Sequence, residues 1–282
     1  MRVAFCGVRG SVPVPDPNSI SYGGNTSCVS VELSDGSRLV LDAGTGIRSL
    51  GVKLAGFHGP IHVLLSHLHL DHITGLMFFG PLFDPEAHVT VWGPPDPASP
   101  LRARLARYIG APLSPIEIRE LPAHVDFRPC PHDGWRMGSA KVEAALVNHR
   151  GPTLGYRITD GDSVLCYLPD HEPGLGQDLD RDQGEWISGW ELARGAGLLI
   201  HDAQYTEEEY AGTIGWGHSR VADTLRFARR AEVERLALFH HDPAHDDAFM
   251  DGLGAAARDA WVDGGGAAAQ LSVAREGAAI EL

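Results

Sequence analysis

Residues 67–72 read His67-Leu68-His69-Leu70-Asp71-His72, so four side chains able to ligate a metal fall within six positions. They follow the apolar run IHVLLS directly and precede a second apolar stretch at 73–79. In an extended or turning segment alternate side chains share a side. His67 and His69 therefore reach one metal, while the turn that follows aims Asp71 and His72 at a second. The competing arrangement, a buried histidine pair at a helix start with Asp71 as N-cap, uses the same residue types. Packing alone gives no reason to gather four such groups at the end of an apolar strand.

The remaining composition narrows what surrounds this motif. Lys and Arg number 23 against 37 Asp and Glu, a net charge of −14 over 282 residues, so no general field draws in nucleic acid or an anionic membrane. With 34 Gly, 19 Pro and 43% hydrophobic residues, the chain is neither a helical bundle nor disordered. Its four cysteines (Cys6, Cys28, Cys130, Cys166) form no C-x-x-C pair, which excludes a zinc ribbon and a disulfide framework and leaves free thiols. Arg9 interrupts the first apolar run, VAFCGV, and no uncharged stretch reaches membrane-spanning length. A soluble, cytoplasmic protein is the expectation.

Short apolar runs bounded by turn residues predict strands at 3–8, 28–33, 39–41, 61–65 and 88–92, and a second set at 141–147, 154–159, 163–168, 197–202, 235–239 and 270–274. Helical patterns fall at 101–109, 185–193, 219–231 and 247–262. No linker or repeat divides the chain, so the reading is a single domain over 1–282 with two sheets packed face to face and helices outside.

The motif HLHLDH resembles the H-x-H-x-D-H signature of the metallo-β-lactamase superfamily. Leu41-Asp42-Ala43-Gly44-Thr45-Gly46 resembles the D-x-G motif of that superfamily, and GGNTSC at 23–28 resembles its phosphodiesterase branch, which contains cyclic-phosphate hydrolases and ribonuclease Z. His149 in VNHRGPTLGYRI, Asp170 in CYLPDHEP and His240 in LALFHHDP match later ligand positions, and Gly217-His218-Ser219 resembles the branch's phosphate-meeting histidine motif. The resemblance implies an α/β (α+β) fold, the four-layered αββα metallo-β-lactamase sandwich. It implies two divalent metal ions, with His67, His69 and His149 on one, Asp71, His72 and His240 on the other, and Asp170 between them. Zinc is the default, and the thiolate-free donor set also admits manganese or iron. Asp71 and His218 are the expected catalytic residues, and Asn25, Thr26 and His218 the expected substrate contacts.

Two pairs of neighbours compete within this set. A bridge between dications needs a carboxylate, which favours Asp170 over His171 and leaves His171 to an outer role. His240 directly follows the apolar run LALF, as His67 follows LLS, whereas His241 is expected to face solvent or a carboxylate. Ser219 is the expected N-cap of the helix through 231, so the His218 loop would offer an anion both an imidazole and unpaired backbone N–H groups. The role of His201 stays open, and Asp202 has the chemistry to hold a ligand imidazole. Surface or structural roles are expected for His58, His62, His88, His124, His132 and His245.

The implied activity is hydrolysis of a small cyclic or linear phosphodiester by a metal-bridging water made acidic enough to react near neutral pH. Competing readings are a hydrolase of carbon esters (lactonase, thioesterase or β-lactamase type), a tRNA-processing endoribonuclease, and a metal-binding module without activity. Too few residues separate His149 from Asp170 for the protruding arm of bacterial ribonuclease Z. Basic residues cluster only at Arg102, Arg104, Arg107 and at Arg229, Arg230, so a small substrate is favoured over a long nucleic acid. The N-terminal cysteine cluster of many cyclic-phosphate hydrolases of phosphonate metabolism is also missing. Segments 94–136 and 172–189, the latter with Trp186 and with Trp190 nearby, suit either pocket walls or a homodimer surface.

Overall fold

The computed structural model describes residues 1–282. Six strands are laid down first: β1 (Arg2–Gly7), β2 (Cys28–Glu32), β3 (Arg38–Leu41), β4 (Ile61–Leu64), β5 (His88–Gly93) and β6 (His124–Pro129). Seven more build a second sheet: β7 (Trp135–Met137), β8 (Ala140–Leu146), β9 (Leu154–Asp160), β10 (Ser163–Leu168), β11 (Leu198–Asp202), β12 (Leu236–Phe239) and β13 (Leu271–Val273). The last strand, β14 (Ala279–Glu281), returns to the first sheet and pairs with β1. The strand orders are β14-β1-β2-β3-β4-β5-β6 and β13-β12-β11-β10-β9-β8-β7. Pairing is antiparallel from β14 to β3 and parallel from β3 to β6, and the second sheet is likewise parallel from β10 to β13 and antiparallel from β7 to β10.

Parallel pairs need crossover connections, and the helices supply them. They are α1 (Ile47–Lys53), α2 (Leu70–Ile73), α3 (Leu101–Leu105), α4 (Trp190–Ala193), α5 (Glu207–Tyr210), α6 (Val221–Arg230) and α7 (Asp247–Asp263). Three apolar clusters define the layers. Phe5, Leu64, Tyr156, Tyr167, Ile200 and Phe239 fill the space between the sheets. Val40, Val63, Ile47, Leu50 and Leu105 join the first sheet to α1 and α3. Cys166, Leu199, Leu225, Phe227 and Trp261 join the second sheet to α6 and α7. Neighbours such as Val63 and Leu64, or Leu199 and Ile200, point to opposite faces, and both faces are covered. The central strands therefore read as unbroken apolar runs. This is the four-layered αββα sandwich.

Several local expectations change. The helix expected over 185–193 is broken: a single 3-10 turn at Gly184–Trp186 is followed by α4, because Gly189 takes φ 74° between them. The helix expected from 219 begins at Val221 with Arg220 as its N-cap. Strands β6, β7 and β14 were not expected, since HVDFRP carries charges and the other two have three residues each. No helix is long and apolar enough to cross a membrane.

Candidate metal centre

Strands β3, β4, β10, β11 and β12 deliver Asp42, His67, Asp170, Asp202 and His240 at or just beyond their C-terminal ends, all to one rim of the sandwich. Backbone strain gathers at the same place. Of four non-glycine residues with positive φ, three are Ser11 (61°), Asp42 (59°) and His240 (61°). Such conformations cost about 1–3 kcal/mol each and persist where surrounding contacts impose them.

Three groups of ligand-type atoms form there: Asp202, His218 and His240 make one, and the other two share a carboxylate. Of those two, His67, His69, His149 and Asp170 make one; Asp71, His72, Asp170 and His240 make the other, each with its atoms within 4.8 Å of one another. Asp170, 1% exposed, belongs to both. Its Oδ2 lies 3.7 Å from His67 Nε2 and 3.6 Å from His149 Nε2, and its Oδ1 lies 3.0 Å from His72 Nε2 and 3.2 Å from His240 Nε2. Asp71 Oδ2 is 3.3 Å from both His72 Nε2 and His240 Nε2 and accepts the Ser11 N–H at 2.8 Å.

The far ring nitrogens fix how these imidazoles face. His72 Nδ1 meets Asp42 Oδ2 at 2.8 Å, His240 Nδ1 meets Gln204 Oε1 at 2.9 Å, His149 Nδ1 meets the Gly217 carbonyl at 2.8 Å and His67 Nδ1 meets Ser66 Oγ at 3.0 Å. Each leaves Nε2 for the cluster, the arrangement in which an outer partner sets the tautomer of a metal-binding histidine. Asp42 also accepts from Ser66 N–H at 2.7 Å and from the Tyr167 hydroxyl at 2.9 Å. His67 Nε2, His72 Nε2 and Asp170 Oδ1 are buried with no hydrogen-bond partner. Leaving such atoms unpaired costs about 1–3 kcal/mol each. Imidazole nitrogens and carboxylate oxygens converging without partners fit divalent cations, and no cysteine enters the set.

Burial pushes the Asp170 carboxyl up, but the charges of His240, His72 and His67 outweigh it and hold the group well below the usual carboxylate range. Burial and the neighbouring His72 push His67 well below its ordinary value. His218 goes the other way. Burial opposes its charged form, yet the carboxylates of Asp202, Asp170 and Asp71 raise it to about 9. Its Nδ1 meets Asp202 Oδ2 at 2.7 Å, and its ring stacks on His240 with centroids 4.9 Å apart.

Other expected site residues fall differently. Ser219 does not cap α6: its N–H donates to Asp202 Oδ1 at 3.2 Å and its hydroxyl to the His171 carbonyl at 2.6 Å. The Val221 N–H donates to the Tyr205 carbonyl at 2.9 Å, so this loop offers the His218 imidazole without a set of free amides. Thr26 is fully buried, its Oγ1 accepting the Thr45 N–H at 2.9 Å, and Asn25 Nδ2 donates to Glu276 at 2.8 Å. Neither of them lines the cavity beside the centre. His241 faces neither solvent nor a carboxylate; it is buried with Nε2 donating to the Ala274 carbonyl at 2.8 Å. His171 turns away from the centre, its Nδ1 2.9 Å from His201 Nε2.

A cavity of about 350 Å³ opens beside the centre, lined by His218, Gln204, Tyr205, Arg150, Trp216 and Asp242 among others. Sequence reading missed the work of Gln204, Ser66, Glu172 and Tyr167. Asp42 carried a signal in its D-x-G context; Gln204, Glu172 and Tyr167 carried none, because their partners lie far along the chain.

The layered fold and the two ligand groups sharing one carboxylate define a protein of the metallo-β-lactamase type. A family model described as a beta-lactamase superfamily domain matches residues 37–241, and the chain belongs to that superfamily. Among relatives, the Ribonuclease Z of Haloferax volcanii is 24% identical over 85% of this chain and 84% of its own length. Among solved structures, the metallo-beta-lactamase fold protein YhfI from Bacillus subtilis has a TM-score of 0.72 at 19% identity, covering 99% of both chains. A diphosphatase from the PhnP family has a TM-score of 0.68 at 17% identity, covering 100% of this chain and 97% of that one. The structural likenesses are of fold.

Proposed function

We propose that this chain is a phosphodiester hydrolase acting with two divalent cations on a small cyclic or linear phosphodiester. In this reading His67, His69 and His149 hold one ion, Asp71, His72 and His240 the other, and Asp170 serves both. Zinc is the default for this donor set, with manganese or iron as alternatives. One domain spanning 1–282 carries the site, since β14 closes the sheet that β1 began.

The observation that carries the proposal is the Asp202–His218 pair set against two ligand groups that share Asp170. When bound, the cations would supply Lewis acidity and make a nearby water acidic enough to react near neutral pH. The residues do the rest. Asp71, held ionised by His72 and His240 against the effect of burial, accepts a hydrogen bond from the attacking water. His218 has Nδ1 engaged by Asp202, so its transferable proton sits on Nε2, where it protonates the leaving alkoxide. A poor leaving group needs such an acid, worth roughly 10²–10⁴ in rate. This requirement favours phosphodiesters over activated carbon esters. The cavity of about 350 Å³ suits a small substrate, and β9 and β10 join through a tight turn with no arm between them.

The likeness to the Haloferax volcanii Ribonuclease Z supports a second reading, cleavage of precursor tRNA. Purified protein with measured metal content, assayed on bis(p-nitrophenyl) phosphate, cyclic nucleotides, precursor tRNA, nitrocefin and a lactone, separates these. Turnover of the small diesters is expected. Cleavage of precursor tRNA alone would establish the second reading, and turnover of only the lactam or lactone would overturn both.

A further inference from the structure

Trp216 is 54% exposed, yet the backbone on both sides of it is pinned. The Gly215 N–H donates to Glu172 Oε1 at 2.9 Å and the Gly217 N–H to Glu172 Oε2 at 2.8 Å, so one carboxylate holds both neighbours. Glu172 is 1% exposed, and the Tyr210 hydroxyl fixes it in turn with a hydrogen bond to Oε1 at 2.8 Å. From the other side Arg150 Nε donates to the Gly215 carbonyl at 3.1 Å, and the Gly217 carbonyl accepts from His149. Gly217 has φ 93°, and a Cβ there would stand 2.4 Å from His149 Nδ1. The loop is therefore built to one shape, and it presents a large aromatic ring at the mouth of the cavity that His218 and Arg150 also line.

An indole left in water forgoes the gain of burial. On a fixed backbone it offers a wide contact surface at low entropic cost. A planar face and a guanidinium beside a site for phosphate chemistry match the parts of a nucleotide: the base stacks and the anionic oxygens meet the cation.

We propose that Trp216 is a specificity-determining residue whose ring stacks on the base of a nucleoside-bearing phosphodiester, with Arg150 meeting an anionic oxygen of the same substrate. The inference rests on the phosphodiesterase reading and narrows it. Stacking of one base contributes roughly 5- to 150-fold in affinity.

The test compares two diesters with the same leaving group, thymidine 5′-(p-nitrophenyl phosphate) and methyl p-nitrophenyl phosphate, on full-length protein. Calorimetric titration with thymidine 5′-monophosphate and with methyl phosphate runs in parallel. The wild type is expected to prefer the nucleoside compound at least fivefold in kcat/KM and in affinity. Trp216→Leu should bring both ratios near one, and Trp216→Tyr should keep most of the preference. Equal ratios in the wild type, or a preference that survives Trp216→Leu, would overturn the subsite. If neither diester is hydrolysed, the phosphodiesterase reading falls, and the affinity ratio still decides whether Trp216 holds a base.

Discussion

Asp42→Asn tests how the centre is held while barely changing its volume. Asp42 is fully buried, and Ser66 N–H meets its Oδ1 while His72 Nδ1 and the Tyr167 hydroxyl meet its Oδ2 and Ser66 Oγ reaches both oxygens. An asparagine keeps one carbonyl oxygen for the Ser66 N–H and places an amide NH₂ where Oδ2 stood. Tyr167 can rotate its hydroxyl to accept. His72 can answer only by moving its proton to Nε2, the atom that faces Asp170 Oδ1 at 3.0 Å and is needed as a ligand. Loss of an outer partner of this kind lowers metal affinity ~10–100-fold, equivalent to about 1.4–2.7 kcal/mol. The loss should fall on the ion held by Asp71, His72 and His240. Competition titration against a chromophoric chelator, which resolves two constants, should show one weakened and the other near its wild-type value, with the far-ultraviolet circular dichroism spectrum unchanged. Two wild-type constants would refute the argument that Asp42 sets the tautomer of His72.

Three further outcomes follow from the geometry. His218→Ala should lower kcat by roughly 10²–10⁴ with metal content unchanged; loss of metal instead, read by elemental analysis, would make His218 a ligand. Glu172→Gln leaves one oxygen for two glycine N–H groups and should raise KM more than it lowers kcat, because the Trp216 loop loses its clamp; an unchanged KM counts against that role. Burial pushes His241 down to about 3, below an unfolded value of roughly 6.5. Its contribution is therefore complete above about pH 6.5 and is lost as pH falls toward about 3, at about 1.4 kcal/mol per pH unit. Urea unfolding of the metal-free protein between pH 7 and pH 5 should show a shallower pH dependence for His241→Gln; the wild-type slope in that variant would refute it.

The first motif was legible because its four side chains fall within six positions and the preceding run is apolar on both faces, as a central strand in a four-layered fold must be. The same apolar continuity made both sheets readable, whereas the short edge strands β7 and β14 lacked enough residues to show a period. The later proposed ligands His149, Asp170 and His240 drew their signal from family resemblance, since none sits in a cluster as dense as the first motif and two have a competing neighbour. Contacts that hold the site were not legible: Tyr167 reaches Asp42 across 125 positions, and Glu172 reaches Gly217 across 45. Ser219 misled because serine before a helix is a common cap. Here Asp202, arriving from β11, takes its N–H, and the hydroxyl turns to His171 instead.

Whether Asp170 serves two cations at once is tested directly by anomalous diffraction at the metal absorption edge, with elemental analysis of the same sample. Wild-type protein should carry two ions per chain on either side of Asp170, and Asp170→Ala should retain at most one. A single ion in fully loaded wild-type protein, or two ions in Asp170→Ala, would contradict that role.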